Sequence, residues 1–264
     1  MARTVALVTG ASSGLGTEYA RLAARDGHDV ILVARREAQL EALGKELALA
    51  HGIAAHPVVA DLNDPSAPQR LFDEVVRRGL QVEVLVNNAG FGSNGHFLDL
   101  PLEREAGMVE VNVQALLKLC WLFGRGMRER KQGRILNVAS TAGFQPLPYE
   151  AVYAASKAFA VNFSDALHME VRGAGVEVLA VNPGPVPTEW QQVAGLDGVP
   201  KGMPLVSAEQ VVRESIDAAQ KGKRSIVPGR GMRWAMAAAT PAPRTLKLRV
   251  MERANRPGSN LRYR

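Results

Sequence analysis

The amino-acid sequence predicts one α/β domain, a doubly wound parallel sheet of about seven strands with helices on both faces. Short β-branched apolar runs alternate with longer amphipathic segments, and each run is apolar at nearly every position. Strands buried on both faces show such continuous apolarity, and the alternation of strand with helix is typical of a parallel sheet. The length of 264 residues suits one large domain of this kind or two small ones.

The predicted elements follow one another along the whole chain. The strands are expected at residues 4–9, 29–33, 53–59, 82–87, 134–139, 176–182 and 224–227. The helices are expected at residues 14–26, 36–50, 66–79, 103–130, 150–173 and 207–221. Right-handed crossovers place the loops that follow the strands along one edge of the sheet, where folds of this class bind ligands.

The composition excludes several classes of protein. With 47% hydrophobic and 22% charged residues, the chain is neither a disordered segment nor a coiled coil. The single cysteine, Cys120, excludes an intramolecular disulfide and a multi-cysteine zinc site, and its apolar neighbours predict a buried helical thiol. The five histidines show no metal-ligand spacing, so we expect no metal, and only His96 is placed to line a substrate mouth.

The net charge of +6 is unevenly distributed. Residues 221–264 hold twelve Lys and Arg and one acidic residue, whereas residues 1–220 carry a net charge of −5. A polyanionic partner would therefore bind at the C-terminal end. No nucleic-acid-binding module accompanies this charge, so nucleic acid is disfavoured. Two interpretations of the C-terminal segment stay open. In the first, it packs beside the substrate lid and its charges are solvated. In the second, it contacts a membrane peripherally, with Trp, Leu and Met side chains interleaved among the basic residues.

The loop after the first strand predicts a phosphate site. It reads TGASSGLG over residues 9–16 and opens a helix. Glycines allow a tight turn and a close backbone approach to a pyrophosphate, and a helix N-terminus offers unpaired N–H groups. The residues expected to contact a dinucleotide here are Gly10, Ser12, Ser13, Gly14, Leu15 and Gly16.

The end of the second strand predicts NADP(H) as the cofactor. Dinucleotide sites that accept a free ribose 2′-hydroxyl place an acidic residue here, but this chain has Ala34 followed by Arg35 and Arg36. Guanidinium groups suit a 2′-phosphate through charge-assisted bonds. The alternative is that both arginines belong to the solvated start of the next helix. Asp61, with Leu62 beside it, is the candidate for the adenine amine.

Three further features follow along the chain, each after a strand or on the next helix. Residues 87–90 read NNAG after the fourth strand, Ser140 follows the fifth, and Tyr153 and Lys157 lie one helical turn apart. With TGASSGLG and PGPVPT at residues 183–188, the chain resembles the short-chain dehydrogenase/reductase family over residues 1–228, in order and on the expected elements.

The resemblance implies a Rossmann-type catalytic domain and a set of site residues. The catalytic tetrad would be Asn112, Ser140, Tyr153 and Lys157. Beyond the glycine loop, the cofactor would contact Asp61, Leu62, Asn88, Ala89, Gly90, Tyr153, Lys157, Pro183, Gly184, Val186 and Thr188. In the family, the helices that correspond to 103–130 and 150–173 form a dimer interface. Tetrameric relatives use the end of the chain after the last strand as a second interface, and the residues that follow Val227 here would alter it. We therefore expect a homodimer.

The chemistry of these residue types fits a carbonyl reduction. A tyrosine pKa near 10 is too high for an efficient base at neutral pH, and a neighbouring Lys157 ammonium together with a cationic nicotinamide is expected to lower it. Ser140 could donate to the substrate oxygen, and Asn112 could hold a water that links Lys157 to solvent.

The expected substrate is a hydrophobic or acyl-type ketone, because the residues placed at the pocket are mostly apolar. They are Phe91, Ser140, Phe144, Gln145, Tyr149, Pro185 and Trp190, under a lid over residues 186–206. The function expected is an NADPH-dependent carbonyl reductase or alcohol dehydrogenase, with a non-catalytic dinucleotide-binding regulator as the alternative. Residues 229–264 form a basic extension. No leader and no long apolar run is evident, so we expect a cytoplasmic protein.

Overall fold

The computed structural model describes residues 3–196, 198 and 203–257. Seven parallel strands form one sheet in the order β3-β2-β1-β4-β5-β6-β7. The strands are β1 (Arg3–Thr9), β2 (Asp29–Ala34), β3 (Ala55–Val59), β4 (Leu80–Asn87), β5 (Gly133–Val138), β6 (Val176–Val181) and β7 (Ser225–Ile226). The chain order reverses beside β1, so the crevice between β1 and β4 is where a ligand is expected. The predicted fold class is confirmed.

Helices cover both faces of this sheet. The α-helices of the described residues are α1 (Gly14–Arg25), α2 (Glu37–His51), α3 (Ala67–Arg77), α4 (Leu102–Val109), α5 (Leu116–Arg130), α6 (Ala151–Val171), α7 (Trp190–Val193), α8 (Ala208–Gln220), α9 (Arg230–Ala239) and α10 (Arg244–Asn255). Five of the six predicted helices are present with ends shifted by one or two residues, and the sixth, 103–130, is divided between α4 and α5.

The sheet separates two apolar layers. Helices α3, α5 and α6 pack on one face through side chains such as Leu71, Leu119 and Val161. Helices α1, α2 and α8 pack on the other, with Leu40 and Val212 fully enclosed. Burial on both sides explains why the strands are continuously apolar, and it leaves the carboxyl edge of the sheet as the place for polar chemistry.

Cys120 lies in the first of these layers, as predicted. The free thiol is buried, and burial raises its pKa to about 12, so it is neutral at physiological pH. Asn137 and Asn87 contact its sulfur at 3.5 and 3.2 Å. No cluster of three or more potential metal ligands occurs in the part of the chain that the structure describes.

The long predicted helix 103–130 is interrupted. A π-helical segment, Glu110–Ala115, joins α4 to α5 and brings Asn112 to the sheet edge. Among the described residues, Leu102–Arg130 is a helical run long and apolar enough to cross a membrane by length and composition alone. Its Leu119 and Phe123 side chains pack in the core, so we interpret the run as a core helix.

The basic extension contains two helices that no motif identified. Residues between Thr240 and Pro243 separate α9 from α10. Met232 of α9 is buried against Gly184, where an added Cβ would lie 2.3 Å from the Met232 Cε. The extension is therefore fitted to the loop that carries the PGPVPT motif.

Candidate active site

One cleft of about 1000 Å³ runs along the carboxyl edge of the sheet. Its floor is formed by the loops after β1, β2, β3, β4, β5 and β6, and α7 and α10 contribute to its outer wall. A cleft of this size lies at the upper end of the range for small-molecule sites, which suits an extended ligand such as a dinucleotide.

The loop after β1 depends on its glycines. Gly10 and Gly14 have φ angles of +66° and +56°, which L side chains rarely adopt. A Cβ on Gly16 would lie 2.1 Å from the Gly10 carbonyl oxygen, so Gly16 permits the close approach of α1 to β1 rather than contacting a ligand. Asn88 fixes this loop from β4, because its Nδ2 donates to the carbonyl oxygens of Thr9 at 2.9 Å and Gly10 at 3.3 Å.

The N-terminus of α1 is available to an anion. Ser13 is the N-cap residue, and its side chain makes no capping hydrogen bond to the helix. The first-turn N–H groups of α1, together with the hydroxyls of Ser12 and Ser13, therefore offer donors to the cleft. This donor set and the space beside it fit the pyrophosphate of a nicotinamide dinucleotide.

Arg35 and Arg36 both line the far end of the cleft. Arg36 is bound by the surrounding loops, because its Nε donates to Ser12 Oγ at 3.2 Å and its Nη2 to the Ser12 carbonyl oxygen at 3.0 Å. Its Nη1 donates to the Glu189 carboxylate at 3.0 Å. Two guanidinium groups beside a hydroxyl form a cationic end that suits a 2′-phosphate.

Tyr153 and Ser140 meet at the opposite end of the cleft. Ser140 follows β5, Tyr153 lies in the first turn of α6, and their side chains share a hydrogen bond. The Ser140 Oγ also accepts from the Ala142 backbone N–H at 3.1 Å, which fixes the rotamer of the hydroxyl. The Tyr153 ring lies 5.1 Å from the Trp190 ring, centroid to centroid, so the phenol is enclosed between the sheet edge and the lid.

Lys157 lies beside the Tyr153 phenol, with its Nζ 5.9 Å from the ring centroid, and the lowering of the Tyr153 pKa by Lys157 together with a cationic nicotinamide stays a prediction. Burial raises the pKa of the Tyr153 phenol above its ordinary value, although the Ser140 hydrogen bond lowers it and the Glu150 charge raises it further. The Lys157 Nζ donates to the Val138 carbonyl oxygen at 2.8 Å, and burial lowers its pKa to about 8. Tyr153 is therefore a neutral phenol, a proton donor, at physiological pH.

Asn112 lies behind the cleft and connects its walls. Its Oδ1 accepts from the Phe91 N–H at 3.1 Å, and its Nδ2 donates to the Phe91 carbonyl oxygen at 3.0 Å. The same Nδ2 donates to Ser156 Oγ at 3.0 Å, and that hydroxyl donates to the Tyr153 carbonyl oxygen at 2.7 Å. The amide of Asn112 thus ties the loop after β4 to the turn of α6 that carries Tyr153. A π-helical segment is a frequent feature of functional sites.

A second buried amide chain holds α6 on the sheet. Asn87 Nδ2 donates to Asn137 Oδ1 at 2.9 Å, and Asn137 Nδ2 donates to Ser164 Oγ at 2.9 Å. The Ser164 hydroxyl in turn donates to the Ala160 carbonyl oxygen at 2.6 Å. Because this chain joins β4, β5 and α6 in the core, it fixes the helix that positions Tyr153 and Lys157.

The structure brings most of the predicted site residues to the cleft. The lining includes Gly10, Ser12, Ser13, Gly14, Leu15, Arg35, Arg36, Asp61, Leu62, Asn88, Ala89, Gly90, Phe91, Ser140, Gln145, Tyr153, Lys157, Pro183, Gly184, Pro185, Val186, Thr188 and Trp190. Gly16 and Asn112 are buried behind it.

Two predicted substrate residues lie outside the lining. Phe144 is largely exposed on the surface. Tyr149 has a φ angle of +68° and turns away, so that its side chain bonds Arg256 and its ring packs edge-on against His96 at 5.7 Å. His96 is likewise absent from the lining.

The sequence analysis missed several residues at the mouth of the cleft. Arg104 of α4 donates to the carbonyl oxygens of Gly92, at 3.1 Å, and Val193, and thereby joins α7 to the loop after β4. Met251 of α10 packs beside the cluster that contains Tyr153, and its sulfur lies 3.5 Å from Gln145 Nε2. No motif identifies Met251, although the interleaved basic and apolar residues of 244–251 indicate a segment that contacts another surface.

Comparison with known proteins identifies the class. The family described as short chain dehydrogenase matches residues 4–197. This match covers the first six strands of the sheet, the glycine loop and the Tyr153–Lys157 pair. The chain belongs to the short-chain dehydrogenase/reductase family of oxidoreductases.

Two relatives and one solved structure show which reductases the chain is similar to. The chain is 34% identical over 195 residues to a very-long-chain 3-oxoacyl-CoA reductase of Anas platyrhynchos, covering 72% of this chain and 62% of that protein. It is 41% identical over 190 residues to a putative ketoacyl reductase of monensin polyketide synthase in Streptomyces virginiae, covering 71% and 72%. A short-chain dehydrogenase from Sphingobium yanoikuyae, solved in complex with NADPH, has a TM-score of 0.82 at 30% identity, covering 93% and 95%.

Proposed function

We propose that this protein is an NADP(H)-dependent reductase that converts a hydrophobic 3-oxoacyl or similar ketone to the secondary alcohol. The observation that carries the proposal is a single cleft with a hydrogen-bonded Tyr153–Ser140 pair at one end and the Arg35–Arg36 pair at the other. The nicotinamide ring supplies the hydride when the cofactor is bound.

The proton for the developing alkoxide comes from Tyr153. The phenol, whose pKa burial raises further above its ordinary value, is protonated at neutral pH and can donate to the substrate oxygen. Ser140 accepts from the Ala142 N–H, so its hydroxyl hydrogen can turn from the Tyr153 oxygen to the substrate oxygen and stabilise it. Lys157, with a pKa of about 8, carries positive charge at neutral pH and can donate to ribose hydroxyl oxygens or relay a proton toward Tyr153.

The residues at the other end of the cleft favour a cofactor with a 2′-phosphate. Arg35 lines the cleft and makes no ion pair with another residue of the described ranges, so its guanidinium is available. No carboxylate of β2 occupies the position that would bind a free 2′-hydroxyl, because β2 ends at Ala34. The NADPH complex of the Sphingobium relative supports the same preference.

The walls of the substrate end support an apolar ligand. Phe91, Leu147, Trp190, Leu196 and Met251 line it, and the Arg104 guanidinium beside them is engaged with backbone carbonyls and the Phe91 ring. Carboxylate substrates usually require a free cationic partner, whereas a ketone on an acyl chain needs only apolar contact and the Tyr153–Ser140 donors. The names of the two reductase relatives agree with an oxoacyl substrate.

The test is cofactor oxidation by the purified chain. The panel contains 3-oxoacyl thioesters of short and long chains, a steroid ketone, an aromatic ketone and a charged 2-oxo acid, each with NADPH and with NADH. We expect fastest turnover with NADPH and a long 3-oxoacyl thioester. Faster turnover with NADH at equal low concentration would contradict the cofactor assignment, and preference for the 2-oxo acid would contradict the substrate class. Tight NADPH binding with no turnover would instead indicate a regulator.

We also propose that the outer face of α10 contacts an anionic membrane surface. Leu246, Arg249, Val250 and Arg253 recur at helical spacing and are all exposed, whereas Met251 on the opposite side faces the cleft. Basic and aliphatic side chains on one helix face suit a bilayer of anionic lipid. The chain would then bind such a membrane peripherally, with the mouth of the cleft nearby.

Vesicle co-sedimentation of the full chain tests this contact. Replacing Leu246 and Val250 by Ser should reduce binding to anionic vesicles several-fold, because apolar insertion is lost. The control replaces Leu49 of α2 and Val76 of α3 by Ser, which removes the same side-chain types from exposed positions away from α10. The proposal is excluded if both variants bind anionic vesicles equally well. It is also excluded if the wild-type chain binds neutral and anionic vesicles equally well.

For assembly, we propose a homodimer through α5 and α6. Leu117 and Trp121 are exposed one turn apart on α5, and Arg125 lies 4.7 Å over the Trp121 ring. Apolar side chains at this spacing suit a helix-to-helix interface. A Trp121→Glu variant should shift light-scattering mass from dimer to monomer, and a monomeric wild-type chain would contradict the proposal.

A further inference from the structure

Glu189 places a carboxylate at the cationic end of the cleft. It immediately precedes α7, the helix in the described part of the lid, and its Oε2 lies 3.0 Å from Arg36 Nη1. Both residues line the cleft together with Ser12. A carboxylate and a phosphate are both anionic oxygen acceptors, so Glu189 and a 2′-phosphate would bind the same guanidinium.

Three of the five N–H groups of the Arg36 guanidinium are engaged. Its Nε and Nη2 donate to the Ser12 Oγ and carbonyl oxygen at 3.2 and 3.0 Å, and Nη1 donates to Glu189. The Ser12 bonds attach Arg36 to the glycine loop, so they orient the guanidinium. A 2′-phosphate that takes the Nη1 hydrogen now bound to Glu189 must displace that carboxylate.

The same carboxylate connects this end to the lid. The residue after it, Trp190, packs against Tyr153 at 5.1 Å between ring centroids and would clash with a Cβ at Gly92. The other end of α7 is joined to α4, because Arg104 donates to the Val193 carbonyl oxygen. The described part of the lid is thus held by Glu189 at the cofactor end and by Arg104 at the substrate end.

We propose that Glu189 is a specificity-determining residue that acts as an internal competitor of the cofactor 2′-phosphate. It weakens NADP(H) binding while leaving NAD(H) binding unchanged, and its displacement by the phosphate releases the cofactor end of the lid. This inference rests on the proposed NADP(H) preference. The Arg36 and Glu189 side chains are 41% and 58% exposed, so water screens the pair and the effect is modest.

Cofactor affinity measured by calorimetry tests the competition. Glu189→Gln should tighten NADPH binding about two- to fivefold, the range expected for an exposed pair, and leave the Kd of NADH unchanged. Glu37→Gln is the matched control, because it removes the same charge one residue from Arg36 but outside the cleft lining. An equal effect of both variants, or weaker NADPH binding by Glu189→Gln, would overturn the proposal.

Hydrogen exchange of the α7 amides, without turnover, tests the link to the lid. We expect 2′,5′-ADP, which carries the phosphate but no nicotinamide, to speed exchange over residues 190–196 in the wild-type chain. We expect 5′-AMP to have no such effect, and Glu189→Gln to exchange fast without any ligand. Unchanged exchange in both cases would overturn the link.

An Arg36→Ala variant separates this inference from the proposed function. If Arg36→Ala weakens NADPH binding and Glu189→Gln has no effect, the NADP(H) preference stands and the role of Glu189 is wrong. If Arg36→Ala leaves the ratio of the NADPH and NADH Kd values unchanged, Arg36 does not bind the 2′-phosphate and the competition proposed for Glu189 is wrong. If the wild-type chain binds NADPH no more tightly than NADH, the cofactor assignment itself is wrong.

Discussion

The two ends of the cleft differ in the burial and in the hydrogen bonding of their side chains. At the catalytic end, Tyr153, Lys157 and Asn112 are 8%, 7% and 2% exposed, and Lys157 and Asn112 are hydrogen-bonded to the backbone of neighbouring loops. At the phosphate end, Arg36 and Glu189 are largely exposed and form a pair that ligand or water can replace. The first end is fixed before a ligand arrives, whereas the second exchanges partners.

This difference corresponds to two tasks. Proton donation requires fixed geometry, and the hydrogen bonds through Asn112 and Asn137 provide it by binding the catalytic end into the core. Recognition of a charged phosphate requires strong but reversible bonds, which exposed guanidinium groups provide. We therefore expect substitutions at the catalytic end to affect rate and stability strongly, and those at the rim to affect affinity modestly.

The largest expected effect comes from removing the proton donor. Tyr153→Phe should reduce kcat about 10²–10⁴-fold, the usual contribution of a positioned general acid, because the ring still fits against Trp190 but the hydroxyl is lost. NADPH affinity, measured by cofactor fluorescence, should change little. Near-normal kcat would show that another group donates the proton.

The next effect is structural. Asn137→Ala should lower the free energy of unfolding by about 1–3 kcal/mol, because Asn87 and Ser164 lose their buried partner. Asn162→Ala is the control, since that amide donates to the Ala158 carbonyl oxygen on the exposed side of α6. Urea unfolding of both variants gives the comparison, and equal losses would mean that the buried amide chain adds no stability.

Lys157 gives the catalytic end a pH dependence. Burial lowers its pKa from 10.5 to about 8, so between these values the unfolded chain holds a proton that the native chain lacks. The free energy of unfolding of the wild type should therefore rise relative to Lys157→Met, on the order of 1 kcal/mol from about pH 8 to about pH 9.5. Chemical denaturation across this range measures it, and a constant difference between the two proteins would mean that the pKa is not lowered.

The smallest effect is expected at the mouth. Met251→Ala should raise KM for long-chain ketones about two- to fivefold and leave kcat unchanged, because it removes apolar contact without touching the donors. Met169→Ala, at an exposed position of α6, is the control. A fall in kcat without a change in KM would place Met251 in the catalytic end instead.

Much of this comparison was predictable from the sequence. Continuous apolar strands determine the parallel sheet, and the loops after them hold the glycines, Ser140 and the arginines, so local patterns place these residues at one edge. Tyr153 and Lys157 are predictable because the helical period puts them on one face.

The remainder depends on contacts between distant segments. The raised pKa of Tyr153 arises from burial, and Lys157 donates to Val138, a partner that no local spacing reveals. The position of Tyr149 depends on a left-handed backbone, which is uncommon for a non-glycine residue. The approach of Met251 and Glu189 to the cleft requires the path of the C-terminal residues and of the lid, which no motif encodes.

The most direct test of the account is hydride transfer itself. The purified chain is incubated with a long-chain 3-oxoacyl thioester and NADPH that carries deuterium at both C4 positions, and the product is analysed by mass spectrometry. The account predicts one deuterium on the new carbinol carbon for each NADPH oxidised. Stoichiometric NADPH binding with no deuterated alcohol from any ketone of the panel would contradict it.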